Sequence, residues 1–294
     1  MRAFITGAGQ VARGLINELT RTDEAVVLRR SNEPIPTARV TPGDAADRAS
    51  LRALAAHSDA IFHCVHASYD PRAWRRELPE REQAVMDVAY ELGKPVVFPE
   101  SVYAFGRSAE SLFEGAPLDP CSPLGEVRAE MLSARRAHPA TTISIVAGDL
   151  IGPTATIKGS VPKATIIDPI VAGRTAWVLG DPDAPHSMTR IPDLARAMLT
   201  ASSRADALAP GGDAVLHAPT PPAVSQRRFA QQQADELRLA STRVRAIPNW
   251  ALLPLVPFSP TTRSLRRQMY LWDYPMVLHP GVLTENAISE GPAQ

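Results

Sequence analysis

Cysteine is almost absent: Cys64 and Cys121 are the only two in 294 residues, without metal-ligand spacing, which argues against a disulfide framework and for free thiols. An excess of either charge is missing too. Lys plus Arg and Asp plus Glu stand at 31 each, so no global field selects nucleic acid or an anionic surface. No apolar run approaches the roughly 20 residues of a membrane span. The most apolar late stretch, 250–258, is broken by Pro254 and Pro257 and reads as packed core or pocket lining. There is no internal repeat and no low-complexity tract. The chain opens on a charged residue and a strand rather than a leader, so a cytoplasmic protein with a small-molecule partner is expected, with neither membrane nor nucleic acid. Hydrophobic residues at 45% supply a substantial core for one large or two medium domains, and 28 prolines imply many rigid turns, with a loose tail at 288–294.

What is present is organised around the first residues. Arg2–Thr6 is β-prone, Gly7-Ala8-Gly9 forces a turn, and Val11, Leu15, Ile16 and Leu19 recur at helical spacing. Gly7-x-Gly9-x-x-Ala12 fits a dinucleotide fingerprint. In it the helix N-terminus, at Gln10 and Val11, offers N–H groups to a pyrophosphate. A second strand, 24–28, ends in Arg29-Arg30 with no acid at that point, which favours a 2′-phosphate and hence NADP over NAD. Asp44 follows the third strand, either facing the adenine or forming a turn. Asp47 caps a helix running to His57. Residues 59–66 make a buried strand. His63 and His66 lie three apart on it and point to opposite faces, so no metal is expected. A long helix from about Pro79 to Gly93 and a strand from Pro95 lead to Ser101-Val102-Tyr103. The alternation predicts an α/β, doubly wound parallel (Rossmann) sheet over residues 1–150, with 187–202 returning to it and a smaller substrate region over 151–294.

The segments TGAGQVA, GDAADRASL, AIFHCVHA, SVYAFG, SPLGEVRAE, GDLIGP and LGDPDAPHSMTRIPDLARAM occur in an order and spacing that resembles the extended or atypical short-chain dehydrogenase/reductases, in their NAD(P)-dependent epimerase/dehydratase branch. That resemblance implies a cofactor contact at His66, a catalytic serine at Ser101, and a Tyr-x-x-x-Lys pair on the helix after the fifth strand. Here that pair reads Leu124 and Arg128, and the glycine fingerprint is one residue short. Leucine can neither give nor take a proton. Tyr103, two residues beyond Ser101, faces the same way if the strand continues, and is the candidate replacement, with Arg128 stabilising charge. His186 and Arg190 are candidate substrate contacts, and Trp177, Trp272 and Tyr274 line an apolar site or simply pack. The family's dimer helices correspond to 79–93 and 125–137, implying a possible homodimer, although Arg81, Glu82, Asp87, Glu91, Arg135 and Arg136 suggest solvated outer faces. Two functions stay open: an NADP-dependent oxidoreductase with a non-standard active site, or a cofactor-binding protein that isomerises, cyclises, epimerises or senses NADPH.

Overall fold

The structure is a computed structural model describing residues 1–239, 242–255 and 258–284. The closing tail lies outside them. Seven parallel strands form the central sheet: β1 (Arg2–Thr6), β2 (Glu24–Arg29), β3 (Arg39–Pro42), β4 (Ala60–His63), β5 (Val96–Ser101), β6 (Thr142–Ala147) and a last strand at Asp213–His217. Their spatial order is β3-β2-β1-β4-β5-β6 and then 213–217, a Rossmann-like sheet whose order reverses between β1 and β4. Residues on both sides of position 150 therefore build the large sheet.

Both faces are covered, which is why the strands read as nearly unbroken apolar runs. On one face α1 (Gln10–Glu18) and the Ile191–Ser203 helix bury Leu15, Ile16, Leu194 and Met198 against Ile5 and Phe62. These two helices touch through a glycine. A Cβ on Gly14 would lie 2.4 Å from Ile191 Cγ2. On the other face α2 (Arg48–Ala55) and α3 (Pro71–Leu92) pack Leu51, Val85 and Val88 over Phe4 and Phe98. Asp47 caps α2 by accepting from the Ala49 N–H.

α3 begins eight residues before the proline expected near its start. Pro79 sits inside the helix on an exposed side, where the carbonyl its ring frees can be hydrated. The outer faces of α3 and of α4 (Pro123–Ala137) are laced by Arg75, which reaches Glu126 at 3.2 Å and Glu130 at 2.9 Å. Glu82 and Arg135, expected on that solvated side, point inward instead. Arg135 is 1% exposed; its Nε and Nη2 donate to Glu82 at 2.9 and 2.6 Å, and its Nη1 to Glu100 and to Ser144 Oγ at 2.9 Å each. In the proline-broken stretch the described residues are mostly exposed. Trp250 and Phe258 are 71% and 86% exposed, Asn249–Leu255 is a short 3₁₀ segment with Pro254 inside it, and Pro257 lies outside the described residues. Among the described residues no helix is long and apolar enough to cross a membrane.

His63 ends β4 in full burial, its Nδ1 2.7 Å from Thr6 Oγ1 and its Nε2 without a partner. Burial, with the charges of Arg135, Arg128 and Arg81, pushes its pKa down to about 3. An unfolded chain binds this proton near pH 6.5, so the contribution of neutral His63 is complete above that pH and is lost as pH falls toward 3. Between pH 6.5 and 4.5 the loss is about 2–3 kcal/mol. Urea unfolding at the two pH values should show it, and His63→Gln should reduce the difference. An identical drop in both proteins would exclude His63 as the cause.

Candidate functional site

The site lies off the carboxyl ends of β1, β4, β5 and β6. At its first end Gly7 turns with φ +89° and a Cβ there would strike the Cys64 carbonyl at 2.8 Å, so the turn closes on β4. Gly9, at the N-cap of α1, has nothing within 4 Å of a Cβ, and no side chain caps the helix. Unpaired N–H groups of the first turn and the partial positive charge of the helix thus face open space. Gln10 is committed elsewhere: its amide donates to the Gly159 carbonyl at 2.6 Å and its Oε1 accepts from the Thr156 N–H at 3.0 Å. Val11 packs against the main core.

Next to this turn is a narrow slot of about 50 Å³ lined by Gly7, Arg29, Arg30, Asp44, His66 and Arg81, among others. Arg29, which the sequence offers to a 2′-phosphate, has an acidic partner in the structure. It donates to the Glu33 carboxylate at 2.9 Å, an acid four residues on that the expected strand end did not include. Among the described residues Arg30 has no ion-pair or hydrogen-bond partner, yet its charge helps lower Asp44. Asp44 is gripped by the Arg81 fork at 2.9 and 3.0 Å, which holds its pKa down to about 2. His66 places Nδ1 2.7 Å from the Ala67 carbonyl and sets its ring edge-on to Trp74.

At the other end two phenols meet. β5 ends at Ser101 and a 3₁₀ segment starts at Val102, so strand alternation does not set the direction of Tyr103. Its ring lies parallel to Trp74, and its hydroxyl accepts from Tyr69 Oη at 3.2 Å. Burial pushes the pKa of Tyr103 up to about 12 and raises Tyr69 well above its usual value. The Ser101 amide donates to Glu100 Oε1 at 2.8 Å, with its hydroxyl 3.4 Å from the same oxygen. Arg128 is buried, 3.5 Å from Glu100 and stacked 4.6 Å over Trp74. Beyond them, Asp149 Oδ2 accepts from His186 Nε2 at 2.8 Å and from the Trp272 indole at 3.1 Å.

With this geometry in place, the sequence itself matches the profile of the NAD dependent epimerase/dehydratase family over residues 3–216. The chain belongs to this family. It is thus a member of a family of enzymes, and its fold is that of solved relatives at low identity. A UDP-N-acetylglucosamine 4-epimerase from Methanobrevibacter ruminantium, in complex with UDP-N-acetylmuramic acid, superposes with a TM-score of 0.70 at 14% identity, covering 92% of this chain and 96% of that one. A dTDP-glucose 4,6-dehydratase double mutant from Streptomyces venezuelae with NAD bound gives 0.65 at 20% identity and 84% of each chain. A UDP-glucose 4-epimerase from Thermotoga maritima gives 0.66 at 15% identity, covering 84% and 86%. No curated protein matches.

The position at which the sequence resemblance expects a tyrosine lies in the core. Leu124 is 1% exposed and packs with Trp74, Leu78, Val127 and Met131. His186, expected at a substrate, is buried and serves Asp149. Arg190 is exposed and faces Asp193 of its own helix at 4.0 Å. Trp272 belongs to the site, whereas Tyr274 lies under Arg107 and Trp177 lines a separate cleft with Arg174 and Ile247. Tyr69, Trp74 and Asp149 went unassigned in the sequence. Only the density of aromatics in the segment from His66 to Trp74 could have signalled the first two.

Proposed function

We propose that the protein is a nicotinamide-dinucleotide-dependent enzyme acting at a carbonyl or alcohol of a small polar substrate, with Tyr103 as the group that gives a proton to the substrate oxygen. One observation carries this reading. Tyr69 donates to Tyr103 just past the strand ends where open α/β sheets bind ligands, so the hydroxyl hydrogen of Tyr103 is left for a further acceptor. A phenol held near pKa 12 is protonated at neutral pH, which suits reduction of a carbonyl better than deprotonation of an alcohol.

The residues present fit a dinucleotide. Open space over Gly9 and the uncapped helix suit a pyrophosphate, and the slot beside Arg30 lies where an adenosine would reach. A nicotinamide held there would supply hydride exchange with the substrate. Arg30, without an ion-pair partner among the described residues, supports NADP(H), while Glu33 beside Arg29 counts in the other direction. Nucleotide sugars, which two of the three relatives hold or are named for as substrates of epimerisation, are the substrate class we favour. A non-redox use of the pocket is favoured by the burial of Leu124, since no phenol stands where the family resemblance puts it.

The test follows NADPH and NADH consumption with a panel of keto sugars and their nucleotide conjugates. Tyr103→Phe should lower turnover by roughly 10²-fold or more. Unchanged turnover in that variant would remove Tyr103 from the chemistry.

A further inference from the structure

Asp149 carries the strongest arrangement that the proposed reduction does not use. The register pairs Ser101 of β5 with Ala147 of β6, so Tyr103 and Asp149 each lie two residues beyond one paired position. Both therefore follow closely on paired strand ends, Asp149 at the start of a short strand beside Met188–Arg190, and its charge reaches both Tyr103 and Tyr69. His186 and Trp272, both buried and with rings 15° from parallel, hold Oδ2 through two donors. Among the described residues none donates to Oδ1 and no arginine or lysine pairs with this carboxylate, whose side chain is 20% exposed. A carboxylate fixed at one oxygen by two donors and open at the other is built as a base.

We infer that Asp149 removes a proton from the carbon next to a bound carbonyl whose oxygen Tyr103 holds, so that the site isomerises its substrate through an enolate. This rests on the placement of the carbonyl oxygen at Tyr103. The C–H bond breaks, its proton goes to Oδ1, and its electron pair forms the carbon–carbon π bond. The carbonyl π pair moves onto oxygen, where Tyr103, backed by Tyr69, donates a hydrogen bond. The hydroxyl on the deprotonated carbon then passes its proton to the former carbonyl oxygen, the new carbonyl forms at that carbon, and the Asp149 carboxyl returns its proton to the former carbonyl carbon, which gives the isomeric hydroxy-carbonyl compound and restores the carboxylate. No oxidant is consumed, so buried Leu124 is no obstacle. The negative charge of Asp149 also raises both phenols, which keeps them protonated as donors.

Kojic acid, a planar sugar-sized enol, is the probe, titrated calorimetrically into the whole protein without cofactor. Asp149→Asn keeps an acceptor for His186 and Trp272 and presents a donor in place of the second oxygen, like the protonated carboxyl. It should bind kojic acid at least tenfold tighter than the unchanged protein, and Tyr103→Phe at least tenfold weaker. Deuterium exchange into dihydroxyacetone in heavy water, followed by NMR, should be catalysed by the unchanged protein and lost in Asp149→Asn. Equal or weaker kojic acid binding in Asp149→Asn, no binding by any variant, or undiminished exchange would overturn the assignment. None of these readouts involves NADPH, so they fail or succeed apart from the proposed reduction.

Discussion

Arg135→Met should destabilise the protein by about 3–5 kcal/mol, the usual cost of leaving buried charge without its partner. Glu82 loses both donors of a fork and Glu100 loses its shorter cation contact, while both carboxylates stay within the packed layer between α3, α4 and β5. Arg128, 3.5 Å from Glu100, cannot replace the lost bonds, because its guanidinium is spread over Trp74. In a protein of this size the thermal midpoint should drop by roughly 6–20 °C. Adding Glu82→Leu should return part of the loss, since one orphaned carboxylate is gone. A single-variant loss under about 1 kcal/mol, the range of surface pairs, would mean that water reaches the cluster.

Gly9→Asp should separate binding from folding. The backbone at Gly9, with φ −74° and ψ −171°, is open to any residue, and nothing lies within 4 Å of the added Cβ. Aspartate is also a good N-cap, so stability should hold or rise by about 0.5–1 kcal/mol. The same carboxylate stands where the pyrophosphate would approach. A like charge about 4 Å away costs about 4 kcal/mol at an effective dielectric near 20, so dinucleotide affinity should fall by roughly 10²–10³-fold. Calorimetric titration with NADPH and NADH, alongside a thermal melt, measures both effects. Unchanged affinity would place the cofactor elsewhere.

Local rules made much of the fold legible. The glycine turn, the helical spacing of Val11, Leu15 and Ile16, the Asp47 cap and the buried β4 run each depend on neighbours in sequence. The site depends on distant ones. Asp149 acquires its setting from His186, 37 positions on, and Trp272, 123 positions on. Glu82 and Arg135 read as surface charges because charge alone argues for solvent, and only their 53-residue pairing reverses that. Tyr103 escaped the strand rule because β5 stops at Ser101, and the Glu33 partner of Arg29 is not read from the strand end because it lies four residues beyond.

The close seat of Gly14 on Ile191 has a consequence for how the chain is made. The face of α1 that carries Ala12, Leu15 and Ile16 packs on the sheet but is only partly covered until the helix ending at Ser203 has been synthesised, and β6 keeps an open edge until residue 217. The amino-terminal half therefore leaves the ribosome with apolar surface it cannot bury by itself. Completion of the nucleotide-binding half waits on sequence that follows the whole 149–190 excursion, so the first turn to be translated is among the last to be locked.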